Sequence, residues 1–334
     1  MTSDRRFRLL LWTLGAIAAA LFCASLLTGP AGLSLDQSLG ALLAGEGDAA
    51  TLVMREIRLP RAILGLAIGA SLGLSGAALQ GYLRNPLAEP GLIGVSSTAA
   101  LGAVLAIHTG LAASLPLALP LSALAGALLA VFVVLAMAGG AASTITLILA
   151  GVAVTSFAGA MTSLALNLSP NPFAAVEIVF WMLGSLSDRS WLHVQLALPF
   201  MALGWALLAG LGRGLDALTL GEDAAASLGV RLDRLRLAAV IGTAASIGAA
   251  TAVAGAVGFV GLVVPHLLRP LVGAQPSRLL PASALGGAAM LLAADVAVRV
   301  IAPGRDLKLG VLTALVGAPF FLWLVLRSRK GGLA

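Results

Sequence analysis

Ten apolar runs divide this chain, at 8–29, 58–83, 91–110, 114–138, 143–168, 190–212, 235–257, 258–272, 278–301 and 307–327. Most approach the roughly 20 residues that a helix needs to cross the hydrocarbon core of a bilayer. In lipid a backbone must pair its own amides and carbonyls, so repeated runs of this kind leave an all-α, polytopic membrane helix bundle of about ten transmembrane helices. Composition agrees, with 60% hydrophobic and only 10% charged residues, too few polar side chains to cover a soluble surface. The eighth run is the weakest: it is short, follows the seventh without a polar loop, and contains Pro265 and His266. The first run sits behind basic residues and resembles a secretory signal, but the many spans after it make it an uncleaved first helix. The whole of 1–334 reads as a single transmembrane domain. Its outer segment, 30–57, and its inner loop, 213–234, are each too small to be a folded catalytic domain.

Charge then orients the bundle. Of the 20 Lys and Arg residues, most fall on one side if the N-terminus is inside, as the positive-inside rule requires. The exceptions gather at 55–61 and 299–308. In "MREIRLPRAILG", Arg55, Arg58 and Arg61 are three apart and can share one face of a helical turn. The formal net charge of +6 sets orientation and does not form a nucleic-acid surface, since no basic block is interleaved with aromatics.

Several chemistries are excluded by what the chain lacks. Neither lysine follows a glycine, so there is no phosphate-binding P-loop, and any ATP must be hydrolysed by another chain. His108, His193 and His266 are scattered, and Cys23 is the only cysteine, so no metal site and no intrachain disulfide is expected. No catalytic residues can be assembled, and no cofactor is expected in this chain.

Local patterns carry more. Gly65, Gly69, Gly73 and Gly76 recur along "GLAIGASLGLSGAALQG", the spacing of a tight helix–helix contact in lipid. In "RNPLAEPGLIGVSS", Pro86 and Pro90 each break a helix, so a rigid turn follows the second span. In "LGEDAAASLGVRLDRLRL", Gly221 starts a short helix with Glu222 and Asp223 in its first turn, and Gly229 ends it. Such a helix is either a docking knob or a plain connector.

Those stretches, with "LILAGVAVTS", "FWMLGSLSDRSW", "GAVGFVGLVVPHLLR" and "LKLGVLTALVGAPFFLWLVLR", occur in the order found in the FecCD-type permeases. These are the membrane subunits of ABC importers for iron–siderophores, haem and cobalamin, and the resemblance covers about residues 5 to 330. It implies a type II ABC importer permease with ten helices and both termini cytoplasmic, in a bacterial inner membrane. It further implies a second copy of the chain, two cytoplasmic ATPase subunits that use ATP and magnesium, a periplasmic substrate-binding protein, and surrounding lipid.

By the same resemblance Arg58, Arg61 and Arg299 match residues that grip glutamates of the binding protein, while anchoring in headgroups is the plainer reading of the same arginines. Asp295, four residues before Arg299, can hold it through an i,i+4 pair. Glu222, Asp223, Ser227 and Gly229 match the segment that seats in the ATPase. Asn85, Leu87, Thr144 and Ile145 match the cytoplasmic gate, although Ile145 departs from the small polar residue of the cobalamin branch. Met161, Thr162, Ser163 and Asn167 are the softer and polar members of the fifth span and candidates for the pore wall, with packing the alternative. Haem is the leading cargo expected, with ferric siderophores and cobalamin as alternatives. A secondary transporter would need buried charges for ion coupling, and the span centres carry none.

Overall fold

The apolar runs do become helices in the computed structural model, which describes residues 3–44, 48–139, 144–169, 172–303 and 305–331 and contains no strand among them. Ten helices follow the expected spans: α1 (Ser3–Leu27), α2 (Leu59–Tyr82), α3 (Val95–His108), α4 (Ala118–Ala138), α5 (Thr144–Asn167), α6 (Trp191–Ala209), α7 (Leu232–Ala254), α8 (Val260–Leu268), α9 (Pro276–Ile301) and α10 (Leu309–Gly331). Among the described residues, seven segments are long and apolar enough to cross a membrane. The remaining expected spans fall on shorter apolar helices, Val95–His108, Val260–Val272 and Leu309–Leu324. One apolar helix, Pro172–Met182, lies outside every expected run.

The core is a seam of small residues. Helix α2 lies against α9 so closely that a Cβ at Gly73 would sit 1.9 Å from the carbonyl oxygen of Ser283. Gly69 meets Gly287 in the same way, and Gly65 is covered by Leu292. Lipid tails are as apolar as the helices, so contact at this range is what dispersion needs to favour protein over lipid. Gly76, at the far end of the stripe, meets a different partner: its Cβ would lie 1.9 Å from the carbonyl oxygen of Gly261 in α8. Pro265 has no N–H to return to Gly261, which leaves that carbonyl outside the helical ladder.

The weak eighth span has a structural cause. Helix α7 ends at Ala254, whose carbonyl accepts from the Ser185 amide at 2.7 Å. The chain then runs without helix through 255–259, and α8 completes the crossing with only nine residues. Non-helical backbone is tolerated at membrane depth where protein surrounds it.

Two ends of the bundle are thereby defined. At the base, Asp4 pairs with Arg278 at 2.5 Å, and Asp216 accepts from the Ser277 amide at 2.8 Å. At the rim, the end of α1 meets the start of α2 and the end of α9. The outer segment folds as Leu35–Ala44 and Ala49–Leu52, the latter N-capped by Asp48, which accepts from Thr51 N–H at 2.7 Å.

The seam makes a direct prediction. Gly73→Ala should lower the stability of the detergent-solubilised protein by about 2 kcal/mol or more, because the added methyl meets rigid backbone. Gly15→Ala, where nothing lies within 4 Å, should change it by less than about 1 kcal/mol, the scale of helix propensity. Thermal unfolding of the two variants side by side checks this.

Candidate functional site

The rim arginines do not share a face. Residues Val53–Arg58 form a π-helical turn, in which the wider winding rotates successive positions away from α-helical register. Arg55, Arg58 and Arg61 therefore reach three different partners. Arg55 Nη2 donates to the carbonyl of Leu42 at 2.6 Å, at the end of helix Leu35–Ala44. Arg58 turns inward against Gly29, only 4% exposed, and its Nη1 donates to the carbonyls of Leu26 (3.0 Å) and Leu27 (3.3 Å). Arg61 reaches across to α9, with Nε 2.9 Å and Nη2 2.8 Å from Asp295 Oδ1.

Asp295 is the centre of this cluster and is fully buried. The expected i,i+4 pair with Arg299 is present, Nη2 to Oδ2 at 2.5 Å. Arg299 also donates to the carbonyls of Ser25 (2.9 Å) and Thr28 (2.6 Å) and to Ser25 Oγ (2.7 Å). The last turn of α1 leaves its carbonyls without helical partners and carries the negative end of the helix dipole. Arg58 and Arg299 answer both needs. Arg61 and Arg299 thus share one carboxylate, with Arg58 capping α1 beside them, so this cluster keeps a positive excess.

Beside the cluster lies a recess of about 500 Å³, lined among others by Arg61, Arg299, Arg305, Asp188 and Asp306. Arg61 and Arg299 border it, while Arg58 lies behind, capping α1. Arg189 also sits near the rim, where burial pushes its guanidinium below the usual range, opposed in part by the charge of Asp188.

At the base, the segment after α6 forms Gly212–Leu218 and the short helix Glu222–Ser227. Gly221 and Gly229 both take positive φ (107° and 84°), which lets one start the helix and the other close it, as their spacing implies. Glu222, Asp223, Ser227, Leu220 and Leu228 are all exposed, so the helix presents a mixed apolar and acidic tip. Ser227 Oγ itself donates to the Asp223 carbonyl at 2.9 Å.

The turn after α2 closes on Asn85, whose side-chain oxygen accepts from the Leu87 amide at 2.9 Å. Both residues are exposed at the base, and neighbouring Arg84 lies 3.8 Å from Glu222. Thr144 and Ile145 open α5, Ile145 exposed, while 140–143 lie outside the described residues. The loop 84–94 meets α5 further along, where Gly151 lies under the carbonyl of Leu92 and Gly94 faces Val154.

Of the fifth-span candidates, Thr162 is buried and Met161 half-buried, whereas Ser163 and Asn167 are exposed. Ser163 Oγ bonds back to Gly159 at 3.0 Å. Leu149, Phe157 and Leu164 of α5, with Leu315, Val316 and Leu322 of α10, leave broad apolar faces uncovered within one chain. His193 has a structural role, accepting from the Ser190 amide at 3.2 Å to cap α6.

Two features escaped the sequence reading. Gln80, buried in α2, donates to the carbonyl of Leu262 (3.3 Å) and accepts from Arg269 (2.8 Å), bracing α8. Glu89 accepts from the Phe259 amide at 3.0 Å. A charged side chain beside a proline signals only a turn, and its partner lies 170 positions away.

Comparison with known proteins places these features in context. The FecCD transport family matches residues 17–327. The cobalamin import permease BtuC of Halobacterium salinarum is 43% identical, over 86% of this chain and 76% of that one. The Fe(3+) dicitrate permease FecD of Escherichia coli is 41% identical, over 83% and 86%. A solved inward-facing metal-chelate type ABC transporter superposes with a TM-score of 0.85 at 32% identity, covering 95% of this chain and 98% of that one.

Replacing Asp295 with Ala should be severe. It strands two arginines that are largely buried, and breaking such a pair costs about 3–5 kcal/mol. Chemical unfolding of the purified protein should show this loss, and Asp306→Ala, at an exposed carboxylate, should show almost none.

Proposed function

Because the chain belongs to the FecCD transport family and is an ABC importer permease, we propose that it works as a homodimer with two ATPase subunits beneath its base and a substrate-binding protein on its rim. One observation carries this reading: an exposed helical knob and a recess bordered by arginines lie at opposite ends of the same bundle. On this reading the base faces the cytoplasm with both termini, and the rim faces the periplasm of an inner membrane. The chain itself hydrolyses nothing. Glu222, Asp223, Ser227 and Gly229, with the exposed Leu228 between them, engage the ATPase, and the uncovered faces of α5 and α10 supply the subunit contact and the wall of the passage. Metal binding by this chain has no part in the reading.

The cargo on this reading is a metal chelate. Haem is the expectation from motif similarity, while cobalamin and ferric dicitrate are the cargoes named for the relatives. An apolar wall with few polar side chains suits passage of a large chelate without tight binding. Parallel uptake assays of haemin, cyanocobalamin and ferric dicitrate in proteoliposomes, each with its matching binding protein, separate the three. Preference for one by about tenfold or more, the equivalent of 1.4 kcal/mol, assigns the cargo, and absence of haemin uptake removes haem.

Docking has its own test. Arg61 borders the recess, so Arg61→Ala should weaken binding-protein association by about tenfold and flatten its dependence on salt. Affinity measured at low and high ionic strength on permease in nanodiscs checks this, and unchanged docking at low salt would leave these arginines as structural caps and headgroup anchors.

A further inference from the structure

We propose that Glu89 is a positioning residue for transport, tying the base of the permease to α10 through the half-helix α8. The proposal rests on the reading of the chain as the membrane subunit of an ATP-driven importer. Its basis is a line of contacts that begins at the exposed knob. Glu222 lies 3.8 Å from Arg84, which opens the loop 84–94. Within that loop Glu89 Oε1 accepts from the Phe259 amide at 3.0 Å, and the ring of Pro90 packs on Gly261, where a Cβ would come within 2.7 Å.

Phe259 is an unusual place to anchor. Its φ of +68° is left-handed, a conformation that bulky side chains rarely adopt and that persists only where neighbours hold it. The Glu89 carboxylate supplies such a hold, and it does so at the N-terminal end of α8, where negative charge is favoured and amides lack helical partners. The side chain of Phe259 then presses on α10: a Cβ at Gly317 would lie 2.3 Å from Phe259 Cβ. The segment 255–259 has no helical ladder, so a displacement of Glu89 passes to Phe259 without first breaking one. Movement of the knob is thereby delivered to a helix that the functional reading places on the passage.

The hydrogen-bond acceptor is what the link requires. Glu89→Gln keeps an acceptor oxygen and Glu89→Ala removes it. The test uses the full complex with its ATPase in nanodiscs, comparing hydrogen–deuterium exchange of 309–324 with and without trapping by ATP and vanadate. Wild type and Glu89→Gln should show a nucleotide-dependent change in that segment. In Glu89→Ala the change should fall on the order of tenfold, the scale of a coupling contact, while ATP hydrolysis continues within about twofold. Gly317→Ala, which crowds Phe259 with Glu89 intact, should disturb the same response and serves if Glu89→Ala fails to assemble. A full response in Glu89→Ala, or in Gly317→Ala where that variant stands in, overturns the proposal. A wild-type permease that binds no ATPase or shows no response overturns the functional reading and the coupling with it. That failure remains distinct, because the Phe259 amide of the isolated permease should still exchange faster in Glu89→Ala than in Glu89→Gln.

Discussion

Helices α2 and α9 approach until backbone meets backbone, and the rest of the bundle is arranged around that contact. Gly69 against Gly287 and Gly73 against the Ser283 carbonyl leave no room for a side chain. Such proximity brings the rim ends of both helices within reach of one carboxylate, so that Arg61 from α2 and Arg299 from α9 converge on Asp295. It also leaves the far end of the α2 stripe free to receive α8 at Gly76. Widening this seam would part the Arg61–Asp295 pair and loosen the seat of α8 together.

Charge gathers mainly at the two ends and is used differently at each. At the rim Arg58 and Arg299 are drawn inward onto the carbonyls of α1, and Arg61 and Arg299 onto a buried carboxylate. At the base the short helix Glu222–Ser227 holds its acidic side chains outward, in water. A buried ion pair is weak evidence for stability, since desolvation offsets most of its attraction. Its value here lies in register: one carboxylate with two arginines joins α2 to α9 and, through Arg299, to the end of α1.

Much of this was legible in the residues. The apolar runs located the helices, the glycine stripe announced a close contact, and Gly221 and Gly229 bracketed the knob correctly. The pairing of Asp295 with Arg299 followed from helical spacing. What the sequence could not show depended on departures from regular winding. Even spacing of Arg55, Arg58 and Arg61 implied a common face, but a π turn sent each to a different partner. Arg58 looked like a surface group because it flanks a span, yet it caps α1 from within. Glu89 and Gln80 escaped because their partners lie far along the chain, on a span too short to be read with assurance.

That short span bears on how the molecule is built. The backbone of 256–258 lies outside the ladders of α7 and α8, and hydrocarbon cannot solvate its amides and carbonyls. It cannot enter the bilayer alone as α1 or α4 can. It must be admitted to a space already walled by α2 and the loop 84–94, where Gly76, Gln80 and Glu89 are waiting. The crossings therefore differ in kind: α1 and α4 satisfy their own backbones wherever they lie in lipid, whereas the eighth is stable only as part of a protein interior.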